Sequence, residues 1–336
     1  MWIDARTGLL AAVGLFACAG AAMAQQPASA RYQPPRTAYG APDLHGVWDA
    51  DFITPLERPE GVTDLIVPKD KAAEVITELF EKPDGPYDPD FDYFFPDKLL
   101  SIHGELRSSW IVEPRDGHLP YTALAKAVLA GAEDTDRPRF DNPEERPGSE
   151  RCVYSLGHAP ITAISLVIPN QIIQTPDAIV LMTEDTDGSR IVRMSGSAPP
   201  DAIRTRAGYS AGRWEGDTLV IETDHLAAHD PVGILFRDAI MLSEGSRITE
   251  RFSLLSDTEL LYQFTVADPA LYDRPWLGEY VMKRLDDKLY EYTCHEGNRG
   301  MENILKAARL GKQKPPKKKA GKKPDQKPGD QAPETK

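Results

Sequence analysis

The chain has 336 residues, enough for one large domain or two modest ones, and its 41% hydrophobic fraction is accompanied by 29 prolines. That many prolines favour loops and irregular edges over long helices. The formal net charge of −13 is uneven: residues 311–336 hold nine lysines against three acids, a net of +6, which leaves −19 for the rest. An acidic body of that size repels nucleic acid and anionic membrane, so a nucleic-acid function is set aside.

Residues 9–24 form an apolar, small-residue run too short to span a bilayer comfortably, and it ends in Ala22-Met23-Ala24. It reads as an export signal over 1–24, with Gln25 the first mature residue and a periplasmic or secreted destination. No transmembrane segment is expected in the mature chain. A lipoprotein reading through Cys18 is weaker, because Phe16 is bulky two positions before the cysteine. Residues 25–41, rich in proline, alanine and arginine, are expected to be a flexible leader. The first ordered piece is Pro42 to Trp48, anchored by Val47 and Trp48. Ala73, Val75, Ile76, Leu79 and Phe80 recur at helical spacing within Lys69 to Lys82, and Tyr121 to Ala132 is a second helix. Between them Asp88, Asp90 and Asp92 alternate as in a calcium loop, but Tyr93 stands where that loop needs glycine. Residues 42–150 are thus an irregular, partly helical N-terminal region.

The texture changes after Glu150. Segments at 161–168, 171–175, 178–183, 190–194, 218–223, 247–254, 260–266, 279–284 and 289–294 are short, β-branched or aromatic. Turn residues separate them, as in all-β folds. The fold class is therefore mainly β over 151–310, an antiparallel β-barrel or a curved meander sheet. A short amphipathic helix, 302–310, follows Gly297 and Gly300. The lysine- and proline-rich tail, 311–336, buries no core and is expected to be disordered; its charge suits contact with an anionic cell-wall polymer. Cys152 and Cys294 remain after Cys18 leaves with the signal. They form either one disulfide in an oxidising compartment or two buried thiols, and the sequence leaves both open.

Arg151-Cys152, IIQTPD at 172–177, GRWEGDTLVIET at 212–223, ERF at 250–252, Asp268-Pro269, RPW at 274–276 and CHEGN at 294–298 occur in that order. Together they resemble a large family of exported bacterial proteins of uncharacterised activity. The resemblance implies a fold and a site location, but no reaction. Asp185-Thr186-Asp187 stands where that family tends to carry a His-Asp pair, and 224–230 is an insertion particular to this chain. GRWEGDTLVIET is also distantly similar to lipocalin-like barrels, a fold-level analogy.

Chemistry-bearing residues converge on two places. On 247–254, Glu250 shares the face of Ile248, Phe252 and Leu254, where burial disfavours its charge unless a cation or donor compensates. Glu184 and Arg190 sit similarly beside apolar alternations, so structural ion pairs at a barrel end are one reading and a site is the other. At 290–303 a strand is expected to break into a turn that collects His295, Glu296, Asn298 and Glu302. His295 is the candidate proton-transfer group, Glu250 or Glu296 its orienting acid, and Asn298 a donor to a developing oxyanion. Arg190, Arg213, Glu184, Trp48 and Trp276 are the candidate substrate-binding residues, lining the same cavity. Asp224, His225, His229 and Asp230 place two histidines four apart, but in a segment that reads as loop, so no metal and no cofactor is expected. The functional expectation is cofactor-free general acid–base chemistry, a hydrolysis, elimination or isomerisation, on a small, partly apolar organic molecule. The alternatives are a lipocalin-like ligand-binding protein and a structural envelope protein.

Overall fold

The computed structural model describes residues 32–79, 98–133, 140–146, 151–152, 157–163, 168–184, 189–227, 232–233 and 239–312. In chain order the strands are β1 (Gly46–Asp49), β2 (Ile66–Val67), β3 (Ser101–Ile102), β4 (Glu105–Arg107), β5 (Ile111–Glu113), β6 (Asn170–Gln174), β7 (Ala178–Thr183) and β8 (Ser189–Arg193). They continue as β9 (Tyr209–Glu215), β10 (Thr218–Asp224), β11 (Val232–Gly233), β12 (Ala239–Ile240), β13 (Arg247–Leu254), β14 (Glu259–Ala267) and β15 (Trp276–Leu285). Three short helices accompany them: α1 (Ala72–Leu79), α2 (Ala123–Glu133) and α3 (Gly300–Lys312). The signal run, the calcium-like loop and the lysine-rich tail beyond 312 lie outside the described residues.

The expected mainly β architecture is present as a closed barrel. Nine strands follow one another in the order β1-β6-β7-β8-β9-β10-β13-β14-β15, and β1 pairs back onto β15 to close the ring. Closure removes the exposed edges that an open sheet would leave. β15 is the longest of these strands, and its outer edge is shared: β5 pairs with Leu277 and Gly278, β1 with Lys283 to Leu285. Gly46–Asp49 therefore belongs to the barrel although it lies far upstream of the other eight strands.

The barrel is mixed, not purely antiparallel. β8 and β9 run parallel and meet only at Val192–Ser210 and Arg193–Ala211. A parallel pair needs a crossover of about a dozen residues or more, and residues 194–208 supply one. β9 was not expected, since Gly212 and its polar neighbours weaken the strand signal. It pairs with β10 along seven residues through a two-residue turn, Gly216-Asp217, with Gly216 at φ 62°. The strand expected over 289–294 does not form. β15, the strand before it, has one edge filled by β14 and the other by β5 and β1, so the segment runs outside the sheet with Tyr290 and Tyr292 exposed. Residues 161–163, expected to open another strand, are buried as irregular chain instead.

Alternation fills the interior. Ile248, Glu250, Phe252 and Leu254 of β13 are buried, as are Leu260, Tyr262, Phe264 and Val266 of β14. Phe252, Tyr262 and Tyr280 stand opposite one another across three strands, with ring centroids 4.8 and 5.0 Å apart. Such pairs add roughly 0.5–1.5 kcal/mol each beyond the area they bury. Gly278 sits opposite Phe264, where a Cβ would lie 2.6 Å from the ring, so only glycine leaves room for that aromatic. From the N-terminal region, Phe52 and Trp110 pack on Tyr280 at 5.7 and 5.3 Å. The apolar face of α1 covers Ile53, Val67 and Leu99, as its helical spacing requires.

Cys152 and Cys294 form a disulfide across a sequence separation of 142, with Cα atoms 5.6 Å apart. It ties the segment leading into the barrel to the chain that leaves it. A loop of that length implies that the bond stabilises the fold by about 3–5 kcal/mol through the unfolded state. Urea unfolding of the oxidised protein should therefore show a higher midpoint than the Cys152→Ser/Cys294→Ser variant by that free energy. Equal midpoints would mean that the bond contributes nothing.

Candidate functional site

The inward positions of β8 and β13 bring two opposite charges together inside the barrel. Arg190 Nη1 donates to Glu250 Oε2 at 2.5 Å and Nη2 to Oε1 at 2.7 Å, with both side chains almost wholly buried at 2% and 0% exposure. The Tyr262 hydroxyl also donates to Oε1, at 2.8 Å. The network continues through Thr223 Oγ1, which accepts from Arg190 Nη1 at 3.3 Å and lies 2.8 Å from Ser210 Oγ. On the other side it meets a buried backbone. Ile161 N–H donates to the Tyr262 oxygen at 2.8 Å, and the Tyr280 hydroxyl donates to Ile161 C=O at 2.9 Å. The irregular segment at 161 thus has both backbone groups satisfied by barrel tyrosines, as burial demands.

The electrostatics match the geometry. Burial opposes the charge on Arg190, but the Glu250 carboxylate outweighs it and lifts the guanidinium above its ordinary value. Burial, reinforced by the charge of Glu250, pushes the Tyr262 hydroxyl well above its usual range; the same two causes raise Tyr280. Both tyrosines remain neutral donors at working pH. With both carboxylate oxygens engaged and no solvent-accessible surface, Glu250 has no open side to offer a substrate. Among the described residues the Arg190 Nε–H is buried with no hydrogen-bond partner.

The remaining expected site residues are scattered. His295 and Glu296 lie in an exposed turn, and Glu250, the other acid expected to orient His295, is held inside the barrel by Arg190 and Tyr262. Asn298 is engaged at both ends of its amide. Its Oδ1 accepts the Gly300 N–H at 2.9 Å, capping α3, and its Nδ2 donates to Cys152 Sγ at 3.1 Å. Glu184 accepts the Tyr290 N–H at 2.8 Å and pins the exposed tyrosine segment. Arg213 is on the outer wall, paired with Glu215 at 2.9 Å and Glu222 at 2.7 Å. Trp48 is buried, with its Nε1 donating to Leu44 C=O at 3.0 Å and the Arg284 guanidinium 4.1 Å from its ring. Trp276 is a core residue against Phe264 and Tyr272. Of the expected constellation only Arg190 and Glu250 meet. His225 bonds Asp224 at 2.5 Å, while His229 and Asp230 lie outside the described residues. No group of three metal-ligating side chains occurs among the described residues.

A different concavity lies at one barrel mouth. β9 runs past the end of β8, and the loop from Arg36 to Pro42 crosses the gap. The leader from Pro34 onward is thus folded there: Thr37 N–H bonds Ala41 C=O at 2.9 Å, and Arg36 bonds Asp217 at 2.5 Å. The groove between loop and wall measures about 640 Å³ and is lined by Tyr39, Pro42, Pro176, Met194 and Trp214, with Arg36 and Arg213 at its rim. Sequence reasoning passed over it because the leader's proline-rich composition hides an ordered turn. The adjacency of Arg213 and Trp214 was its one visible signal. No protein-family model and no curated protein sequence matches the chain.

Asp49, at the end of β1, is a buried carboxyl of another kind. Burial, and then the charge of Asp51, raises its pKa to about 6, against the smaller pull of the Ala50 and Ile168 N–H groups and Lys98. Because the folded value lies above the unfolded one, its contribution to stability is present at acid pH and is lost as pH rises through about 6. Asp49→Asn should therefore gain roughly 2–3 kcal/mol on the wild type between pH 4 and pH 8 in paired denaturant titrations. A constant difference across that range would refute the assignment.

Glu250→Gln tests the interior network. Removing one partner of a buried pair costs about 3–5 kcal/mol because the other charge is stranded. The same loss is expected here by urea unfolding, with Arg190→Met/Glu250→Leu recovering much of it. If both variants match the wild type, the pair does not hold the barrel.

Proposed function

We propose that this is an exported, ligand-binding barrel protein that takes a small, partly apolar organic molecule into the mouth groove. The observation that carries the reading is the groove itself. It combines a concave surface, aromatic and apolar walls from Tyr39, Trp214 and Met194, and two guanidinium groups at its rim. Ligand sites have this make-up, and barrel mouths are a recurrent place for them. The lipocalin-like analogy enters at this level only, as a closed barrel that receives its ligand at one end. Export to the periplasm rests on the signal-like first 24 residues and on the disulfide, a bond suited to an oxidising compartment.

Binding is favoured over acid–base catalysis by geometry. Glu250, one of the two carboxylates expected to orient His295, is saturated inside the barrel, Glu296 lies with His295 in an exposed turn, and the amide expected to stabilise an anion caps a helix. An exposed histidine without a buried orienting partner favours the binding reading over preorganised proton transfer at this turn.

The test is a ligand screen by native mass spectrometry and thermal shift, repeated on Tyr39→Ala and Trp214→Ala. A true ligand at about a hundred times its Kd stabilises the wild type by about 2.7 kcal/mol. Each variant should bind it about tenfold or more weakly, while His295→Ala binds normally. A ligand held equally well by all three variants would place the site elsewhere. Turnover of that ligand, abolished by His295→Ala, would restore the enzymatic reading.

A further inference from the structure

The mouth groove has a floor of unusual kind. β8 pairs with β9 only at Ser210 and Ala211; beyond them Met194 N–H continues the ladder to β7 through the Asp177 carbonyl at 3.0 Å, and its side chain packs against Gly212. From Gly212 to Glu215, β9 has β10 on one side and the groove on the other. Glu215 and Thr218 flank the two-residue turn and so form a hydrogen-bonded pair. Alternation then directs the N–H and C=O of Trp214, and the C=O of Gly212, away from β10 and into the groove. The Arg36 to Pro42 loop closes on itself through Thr37 and Ala41, and among the described residues no backbone hydrogen bond joins it to β9. The groove therefore presents a short strand edge with donors and acceptors at fixed spacing.

Resting on the ligand-binding reading, we infer that the ligand is an extended peptide segment that adds a strand to the free edge of β9. A peptide alone among small organic molecules repeats a donor and an acceptor at the spacing of a strand edge, which is the basis of strand-addition recognition. The free stretch from Gly212 to Glu215 is roughly 10 Å long at the rise of a strand and faces about four residues. Alternate side chains of such a peptide point in opposite directions. One set meets Tyr39, Met194 and Trp214, and the other lies toward solvent. The rim charges are balanced rather than one-signed, since Arg36 pairs with Asp217 and Arg213 with Glu215 and Glu222. The preferred peptide is therefore apolar at alternate positions and close to neutral. The Arg36–Asp217 contact makes the loop a wall on the far side of the peptide, and this limits its length.

The experiment uses the full mature chain, isotopically labelled, with blocked tetrapeptides alternating apolar and polar residues as the probe. Backbone amide exchange is read at Trp214. A peptide in excess should slow exchange of the Trp214 N–H at least tenfold, and N-methylation of the peptide bond that faces it should weaken binding about tenfold or more, the loss of one well-formed hydrogen bond. Peptides that fail to bind, while simple aromatic carboxylates bind and are lost in Tyr39→Ala, would overturn the peptide inference and leave the groove as a small-molecule site. Protection of Trp214 that grows with protein concentration alone would overturn it in favour of a second copy on the same edge. If neither peptides nor aromatic acids bind in the groove, the inference and the binding reading both fall.

Discussion

Closing a sheet into a barrel puts every inward side chain into a shared interior away from bulk solvent, and here one of those side chains is a carboxylate. Glu250 is tolerable there only because Arg190 arrives from the opposite part of the wall with two parallel hydrogen bonds and Tyr262 adds a third donor. The pair links β8, which forms the weakest seam of the barrel, to β13, which belongs to its most extensively paired part. It thus secures the seam from inside, where so few main-chain hydrogen bonds do so along the wall. The tyrosine that completes the pair also holds the irregular chain at Ile161, so the polar network and the filling of the core are one arrangement.

The same seam shapes the outside. Because the crossover after β8 returns parallel, β8 ends while β9 continues, and the wall has an open notch at one mouth. The N-terminal loop bridges the notch without pairing to it, and the groove results. A feature that would be a flaw in a purely antiparallel barrel becomes a concave surface with both aromatic walls and free backbone groups.

Several polar residues of the sequence motifs serve as fastenings in the fold. Asp268 accepts hydrogen bonds from the Ser243 and Ala270 N–H groups and from Ser246 Oγ; burial raises its pKa, but these donors outweigh it and hold the carboxyl below its usual value. It anchors the connection between β14 and β15. Asn298 caps α3 beside the disulfide, and Glu184 pins the segment that carries Tyr290. Polar residues at fixed motif positions are needed wherever buried or turning backbone must be satisfied, and sequence alone does not separate that duty from catalysis.

What the sequence determined by itself was local. The period-two alternation of 247–254 and 260–266 shows which side chains share a face, and helical spacing marks α1, because both signals repeat within a few residues. Glu250 was legible as a carboxylate on an apolar face. Its partner was not, since Arg190 lies 60 residues away and meets it only across a closed interior. The same holds for Cys152 with Cys294, for β1 as the closing strand, and for the failure of 289–294 to pair once β15 had no edge left. The mouth groove depends on where one strand stops relative to its neighbour, a matter of register between segments that no local pattern encodes. Strand and helix follow from short-range sterics and burial; partnership follows from closure, which only the folded chain decides.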